Sequence, residues 1–377
     1  MKPIFKTLLL GAFFISICTA CSSDDEPSWK SWDEELDVNP GDESYVYPEL
    51  RTVEGVVIGG EVKPWTPEIE AALREEVKQP AKHPVEVRVS SAGTIKNAIG
   101  QDALEMDALT VYGPLDSSDL RYIKLCVCSG KLRSVDLSGA TLKDNTLPEQ
   151  AFFANEYGKL VYVPLLRLVL PDNIKKLDRY CLLNTLITEI NLSDNVDFAG
   201  RSLANTPMLG GELTIGEALK PAGMIADNLP FYNTGDGSLV INYKRKIADI
   251  LVDNLRFKEL NLVEGVVEEL PPYAFIDLPI ETLTLPKSLK KIDFGALQNL
   301  SNLKTLYINF TDASVLGFTW DEFYEKDKDS DFNFELWCQS FPLLGLPLEA
   351  TIYVPKGSLE ALYKSMALDG RKLVEVD

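Results

Sequence analysis

Short triplets with aliphatic first and third residues return along this chain at a nearly constant interval. They read Val135-Asp136-Leu137, Leu168-Val169-Leu170, Ile190-Asn191-Leu192, Leu213-Thr214-Ile215, Leu239-Val240-Ile241, Leu260-Asn261-Leu262, Leu283-Thr284-Leu285, Leu306-Tyr307-Ile308 and Ile352-Tyr353-Val354. Between Leu170 and Ile308 the last residues of successive triplets lie 22, 23, 26, 21, 23 and 23 apart. On a strand, residues one and three of such a triplet face one side and residue two the other. A unit of this length cannot bury its apolar side alone. The period therefore predicts stacked units that share one core, each adding a strand to a parallel ladder.

A second landmark travels with the first: a small residue, an apolar one, then an Asn or Asp three positions after the small one. It occurs as Cys181-Leu182 with Asn184, Ser202-Leu203 with Asn205, Met224-Ile225 with Asp227, Ala274-Phe275 with Asp277, and Ala296-Leu297 with Asn299. The small side chain lets the return segment pack closely, and the Asn or Asp is expected to close the turn by bonding to backbone.

Ahead of the repeats the pattern changes. Thr66 as N-cap, Pro67 in the first helical position, and Glu68 and Glu70 in the first turn open a helix whose apolar stripe is Ile69, Ala72, Leu73 and Val77. It should end near Lys78. Pro84 to Val89 then alternate as a half-buried strand does. Residues 51–107 are expected to cap a solenoid formed by 108–377, because a first repeat left bare would expose its apolar end. Within the solenoid, 44 residues separate Ile308 from Ile352, which marks 310–347 as an acidic and aromatic excursion.

Two decapeptides, Leu168-Val169-Leu170-Pro171-Asp172-Asn173-Ile174-Lys175-Lys176-Leu177 and Leu283-Thr284-Leu285-Pro286-Lys287-Ser288-Leu289-Lys290-Lys291-Ile292, and the ending Ile352-Tyr353-Val354-Pro355-Lys356-Gly357-Ser358, give the chain its family likeness. It resembles the BspA-type leucine-rich repeat family of bacterial surface proteins over about residues 85–377. The units between Ile190 and Asn254 depart from that pattern, since they lack the Leu-Pro step. The resemblance implies an α/β repeat fold, a curved right-handed solenoid with a parallel sheet on one face. It also implies attachment to host matrix proteins, host cells or neighbouring bacteria, and it supplies no catalytic residue.

With residues one and three buried, the middle residue of each triplet faces solvent, giving a stripe of Asn191, Thr214, Val240, Asn261, Thr284, Tyr307 and Tyr353 flanked by Glu189, Glu212 and Glu259. Tyr, Asn and Thr together offer ring contacts and hydrogen bonds. A plain solvated sheet face is the competing reading. Within the excursion Asp327, Asp329 and Asp331 alternate as calcium-loop carboxylates do, but Phe332 replaces the loop glycine and Cys338 the closing glutamate, so no metal is expected. Trp320 and Trp337 in the same stretch could stack on sugar rings.

The mature body holds Cys126, Cys128, Cys181 and Cys338, read as small buried hydrophobes. One histidine, His83, cannot build a triad or a zinc cluster, and no Walker or dinucleotide motif is present, so neither enzyme nor cofactor is expected. A balance of 57 acidic to 37 basic residues, net charge -20, disfavours nucleic acid.

Residues 1–20 form a secretory signal, with Lys2 and Lys6 ahead of an apolar run from Leu8 to Ile17. Cys18-Thr19-Ala20-Cys21 is similar to a bacterial lipobox, with Cys18 where an aliphatic residue is usual. That similarity implies lipid attachment at Cys21. Ser22 to Glu26 resembles an acidic tag that sends lipoproteins to the outer leaflet, and 21–50 reads as a flexible acidic tether. The expected protein is anchored by lipid in the outer membrane and exposed on the cell surface. There it binds a host or bacterial macromolecule, protein ahead of glycan. Glycan capture for nutrient uptake and a plain structural spacer are the alternatives.

Overall fold

A computed structural model describes residues 53–154, 160–193, 196–215, 234–244, 256–317 and 343–377, apart from positions 273, 276, 294, 344, 364, 366, 367 and 369. Cys21 and its signal and tether, the Met224 landmark, and the excursion residues Trp320, Asp327, Asp329, Asp331, Trp337 and Cys338 lie outside the described residues.

Every apolar triplet begins on a strand. Strands β1 (Pro84–Arg88), β2 (Ala108–Leu115), β3 (Ser134–Leu142), β4 (Arg167–Val169) and β5 (Glu189–Ile190) form one ladder, each parallel to the next. Strands β6 (Glu212–Ile215), β7 (Leu239–Tyr243), β8 (Phe257–Leu262), β9 (Thr282–Leu285), β10 (Thr305–Ile308), β11 (Thr351–Pro355) and β12 (Lys372–Val376) form a second, also parallel throughout and in chain order. The inward residues Leu109, Val135, Leu168, Leu213, Ile241, Leu260, Leu283, Leu306 and Ile352 are each 2% exposed or less. They make the shared core that a single repeat could not.

The ladder breaks between β5 and β6. Asn191 stands in for the missing rung: its Oδ1 accepts from the Leu170 N–H at 2.8 Å and its Nδ2 donates to the Leu170 carbonyl at 2.9 Å. The repeat-to-repeat contact nonetheless continues one step earlier in the unit. The Thr188 N–H donates to Leu166 and the Gly210 N–H to Thr188, both at 2.9 Å.

On the other side of the core, two smaller parallel ladders run through Thr146–Leu147, Lys176–Leu177 and Asp197–Phe198, and through Glu269–Leu270 and Lys291–Ile292. The second landmark makes the return turn. Its Asn184, Asn205, Asp277 and Asn299 have φ of 59°, 52°, 59° and 59°. Asn and Asp adopt this left-handed conformation more readily than other non-glycine residues. What the turn takes from them is chiefly this backbone freedom, and the Asn205 Nδ2 donates to the Asn184 Oδ1 at 3.0 Å, amide on amide.

The ladder starts inside the segment 51–107, since β1 already pairs with β2. Helix α1 (Pro67–Glu76) begins as the pattern predicts, with Thr66 Oγ1 accepting from the Ile69 N–H at 3.4 Å. Only part of its apolar stripe is covered: Leu73 is buried, Ile69 and Val77 are half-buried, and Ala72 is exposed. The helix lies along the flank of the repeats. Leu73 shares a cluster with Val56, Tyr162, Leu166, Leu186 and Met208, and Trp65 packs on Tyr162 with ring centroids 5.0 Å apart. Gly55–Val56 also pairs in parallel with Val161–Tyr162. At the two ends of this contact, Glu76 lies 3.7 Å from Arg133 and Arg74 lies 3.0 Å from Asp236.

Helix α2 (Ser117–Ser129) links β2 to β3 and starts on a reciprocal cap between Asp116 and Asp119. Asp119 is buried and accepts from the backbone N–H groups of Gly93 at 2.7 Å, Ile95 at 3.0 Å and Asp116 at 3.0 Å. Cys126 and Cys128 on α2 and Cys181 in its turn are all buried.

Candidate binding surface

The outward residues of β6 to β11 line up across the strands. Register pairs Thr214 with Asn242, Asn242 with Asn261, Asn261 with Thr284, Thr284 with Tyr307, and Tyr307 with Tyr353. This corrects one position read from the sequence. The triplet on β7 that aligns with its neighbours is Ile241-Asn242-Tyr243, so Asn242 joins the row and Val240 falls in the next row between Glu212 and Glu259. The gaps on either side of this repeat are accordingly 28 and 19 residues, not 26 and 21. The pairing of β7 with β8 is itself irregular between Leu239 and Val240, where Lys258 of β8 is the extra residue. The cue in the sequence was Tyr243, buried and packed edge-on against Phe275 with centroids 6.4 Å apart, which serves as the third inward residue although it is aromatic.

The row has two chemically different halves. In the first, the Asn261 Nδ2 donates to the Asn242 Oδ1 at 3.0 Å, and the Asn242 Nδ2 donates to the Glu212 carboxylate. Each carboxamide thus orients the next, and the row ends on a negative charge. In the second half the rings of Tyr307 and Tyr353 stack with centroids 5.0 Å apart and planes inclined by 16°. Neighbouring strands lie about 4.8 Å apart, so the register itself brings the two rings into contact. Tyr307 is the more open of the two, at 37% exposure. The outer faces of the pair look across the sheet toward Thr284 and Val374. The pair therefore presents ring edges and hydroxyls to solvent more than open faces.

Asn191, on β5's side of the break, is not continuous with this row, and its carboxamide is engaged with Leu170. Of the three flanking carboxylates, Glu189 pairs with Arg167 at 3.0 Å, Glu212 accepts from Asn242, and Glu259 is half-exposed beside Val240.

The first ladder has a smaller aromatic feature, missed in the sequence. The Arg88 guanidinium lies over the Tyr112 ring at 4.3 Å, and the ring rests on Gly139, where an added Cβ would meet Tyr112 Cδ1 at 2.3 Å. Among the described residues there is no group of three or more His, Cys, Asp or Glu able to hold a metal ion, and no helix long and apolar enough to cross a membrane. His83 sits on a loop whose N–H donates to Asp107 at 3.0 Å. Burial pushes the Cys126 thiol up to about 11 and the Cys181 thiol well above its ordinary value, so neither is poised as a nucleophile.

Comparison with known families matches residues 230–327 to the BspA type leucine rich repeat region, in six copies. Among solved structures the chain is similar to a leucine rich cell surface protein from Faecalibacterium prausnitzii A2-165. That match has 11% identity over 70% of this chain and 87% of that one, with a TM-score of 0.21. A leucine-rich repeat protein from Bacteroides ovatus ATCC 8483 matches at 13% identity over 78% and 92% of the two chains, with a TM-score of 0.16. Scores this low bear on neither fold nor function. No curated protein matches.

Proposed function

Because residues 230–327 are a BspA-type leucine-rich repeat region, we propose that this chain is a non-enzymatic recognition protein that binds a macromolecule through the outward face of its second strand ladder. The observation that carries this reading is the row Thr214, Asn242, Asn261, Thr284, Tyr307 and Tyr353, which combines a hydrogen-bonded amide run with a stacked aromatic pair on one exposed sheet. Solenoids use such sheet faces as extended binding surfaces. A protein partner fits better than a sugar. Sugar stacking needs an open ring face, whereas the Tyr307–Tyr353 pair offers edges and hydroxyls suited to peptide groups.

The chain is held at the outer membrane by lipid on Cys21 and faces outward, which the lipobox-like segment and the acidic tag support. External proteinase should remove it from intact cells, and Cys21→Ala should release it from the membrane fraction. For the surface itself, a matrix or bacterial surface protein captured by the full chain should bind the Tyr307→Ala, Tyr353→Ala double variant at least about 30-fold more weakly, as expected when a hot spot worth about 2 kcal/mol is removed. Unchanged affinity in that variant would overturn the assignment of the row.

A further inference from the structure

We propose that Tyr307 and Tyr353 form an oxidative modification site, where a one-electron oxidant of the haem peroxidase class, fed with hydrogen peroxide, joins the two rings into an intrachain dityrosine. The two residues are directly paired across β10 and β11, with ring centroids 5.0 Å apart and planes inclined by 16°. Both strands are interior to the second ladder, held by β9 on one side and β12 on the other, so neither ring sits on an edge strand that can swing away. Two reactants fixed at contact distance combine as a unimolecular pair, far ahead of collision between molecules in dilute solution. Among the described residues the other tyrosines in ring contacts are Tyr162 against Trp65, Tyr180 against Phe153 and Tyr243 against Phe275, all three buried. Tyr112 is covered by Arg88 and rests on Gly139. Tyr307 is exposed and Tyr353 half-buried, so this pair joins access for a solvent-borne oxidant to a second phenol within reach.

In the reaction each phenol gives one electron to the oxidant and its hydroxyl proton to water. The two phenoxyl radicals then join by a bond between ring carbons ortho to the oxygens. The hydrogen on each of those carbons passes through solvent to an oxygen, which restores two phenols. Overall the protein loses two electrons and two protons, and one hydrogen peroxide takes them up to become two waters. Stacked rings must turn toward edge contact for the bond to form. The side chains beyond them across the sheet are Thr284 and Val374, both short and β-branched, and the ring edges face solvent, which leaves room for the turn about each Cβ–Cγ bond. The bond would tie β10 to β11 across the excursion 310–347 and make the aromatic half of the outward row one rigid unit. This chemistry goes beyond the recognition reading and depends on no partner.

Treating the full chain in dilute solution with hydrogen peroxide and microperoxidase, a haem peptide small enough to reach the sheet face, tests this. We expect blue dityrosine fluorescence on the single-chain band of a denaturing gel, with a fractional yield unchanged over about a tenfold dilution, as a unimolecular coupling requires. Mass spectrometry should find a linked pair of tryptic peptides holding Tyr307 and Tyr353, lighter by two hydrogens than their sum. Tyr307→Phe and Tyr353→Phe each keep a ring in the stack but remove one phenol, and either should lose the single-chain signal, while Asn242→Ala should retain it. Circular dichroism on each variant confirms that the fold is kept. Absence of single-chain dityrosine, a yield that falls with dilution, a link mapped to other tyrosines, or a signal that survives either Phe substitution would each overturn the site. None of these outcomes touches the binding role of the row, which partner affinity of the Ala double variant tests separately.

Discussion

Cys126 illustrates how a residue type can mislead until its surroundings are known. In a chain whose first residues read as a secretory signal a thiol invites a disulfide or reactive reading, yet this one is buried on α2 with its pKa raised to about 11 by burial. Because the fold favours the protonated thiol, its contribution to stability is full below the unfolded thiol pKa and is lost as pH rises toward 11. The expected outcome is a steeper alkaline fall in melting temperature for the wild type than for Cys126→Ala. The difference between them should open between about pH 9 and pH 11 and reach no more than about 2–3 kcal/mol. A native-state thiol titration at pH 8 should likewise find Cys126 and Cys181 unreactive. Parallel alkaline curves for the two proteins would contradict this.

Strand pairing is where chemistry invisible in one repeat emerges. Tyr112 lies on β2, Arg88 on β1 and Gly139 on β3, and only the register brings them into one stack. Gly139→Ala should destabilise the protein by about 1–3 kcal/mol, the cost of overpacking a site whose ring is held on its other face. In a Tyr112→Ala background the same change should be close to neutral, so a double-mutant cycle by chemical denaturation isolates the contact. The Asn242 row is a second instance. Pairing with both neighbouring strands sets Val240 outside the aligned row and Asn242 in it, which spacing counted on aliphatic residues could not detect, because Tyr243 rather than an aliphatic residue fills the inward position.

At the level of the whole molecule, a stack of repeats in which each unit touches only its neighbours can unfold piecewise. Helix α1 works against that here, since its contacts run from Arg133 through Tyr162, Leu186 and Met208 to Asp236 and so tie several units together. Leu73→Asp, which places a charge in that cluster, should lower the melting temperature. It should also split one calorimetric transition into two, as the strapped units lose their common support. A single undivided transition at lower temperature would mean the helix adds stability without coupling the repeats.

The sequence by itself determined the strands and their period, the helix start at Thr66, the buried cysteines of the described residues and the inward and outward alternation, because each follows from local pattern over a few residues. It also carried the family likeness that residues 230–327 bear out. Tertiary structure alone decided the rest: the break at Asn191, the shift that brings Asn242 between Thr214 and Asn261, the stacking of Tyr307 on Tyr353, and the flanking course of α1. The physical reason is one of range. Alternation and capping are written in neighbouring residues, whereas register, cross-strand contact and a missing rung exist only between segments about two dozen residues apart, whose alignment a single bulge or tight turn can alter.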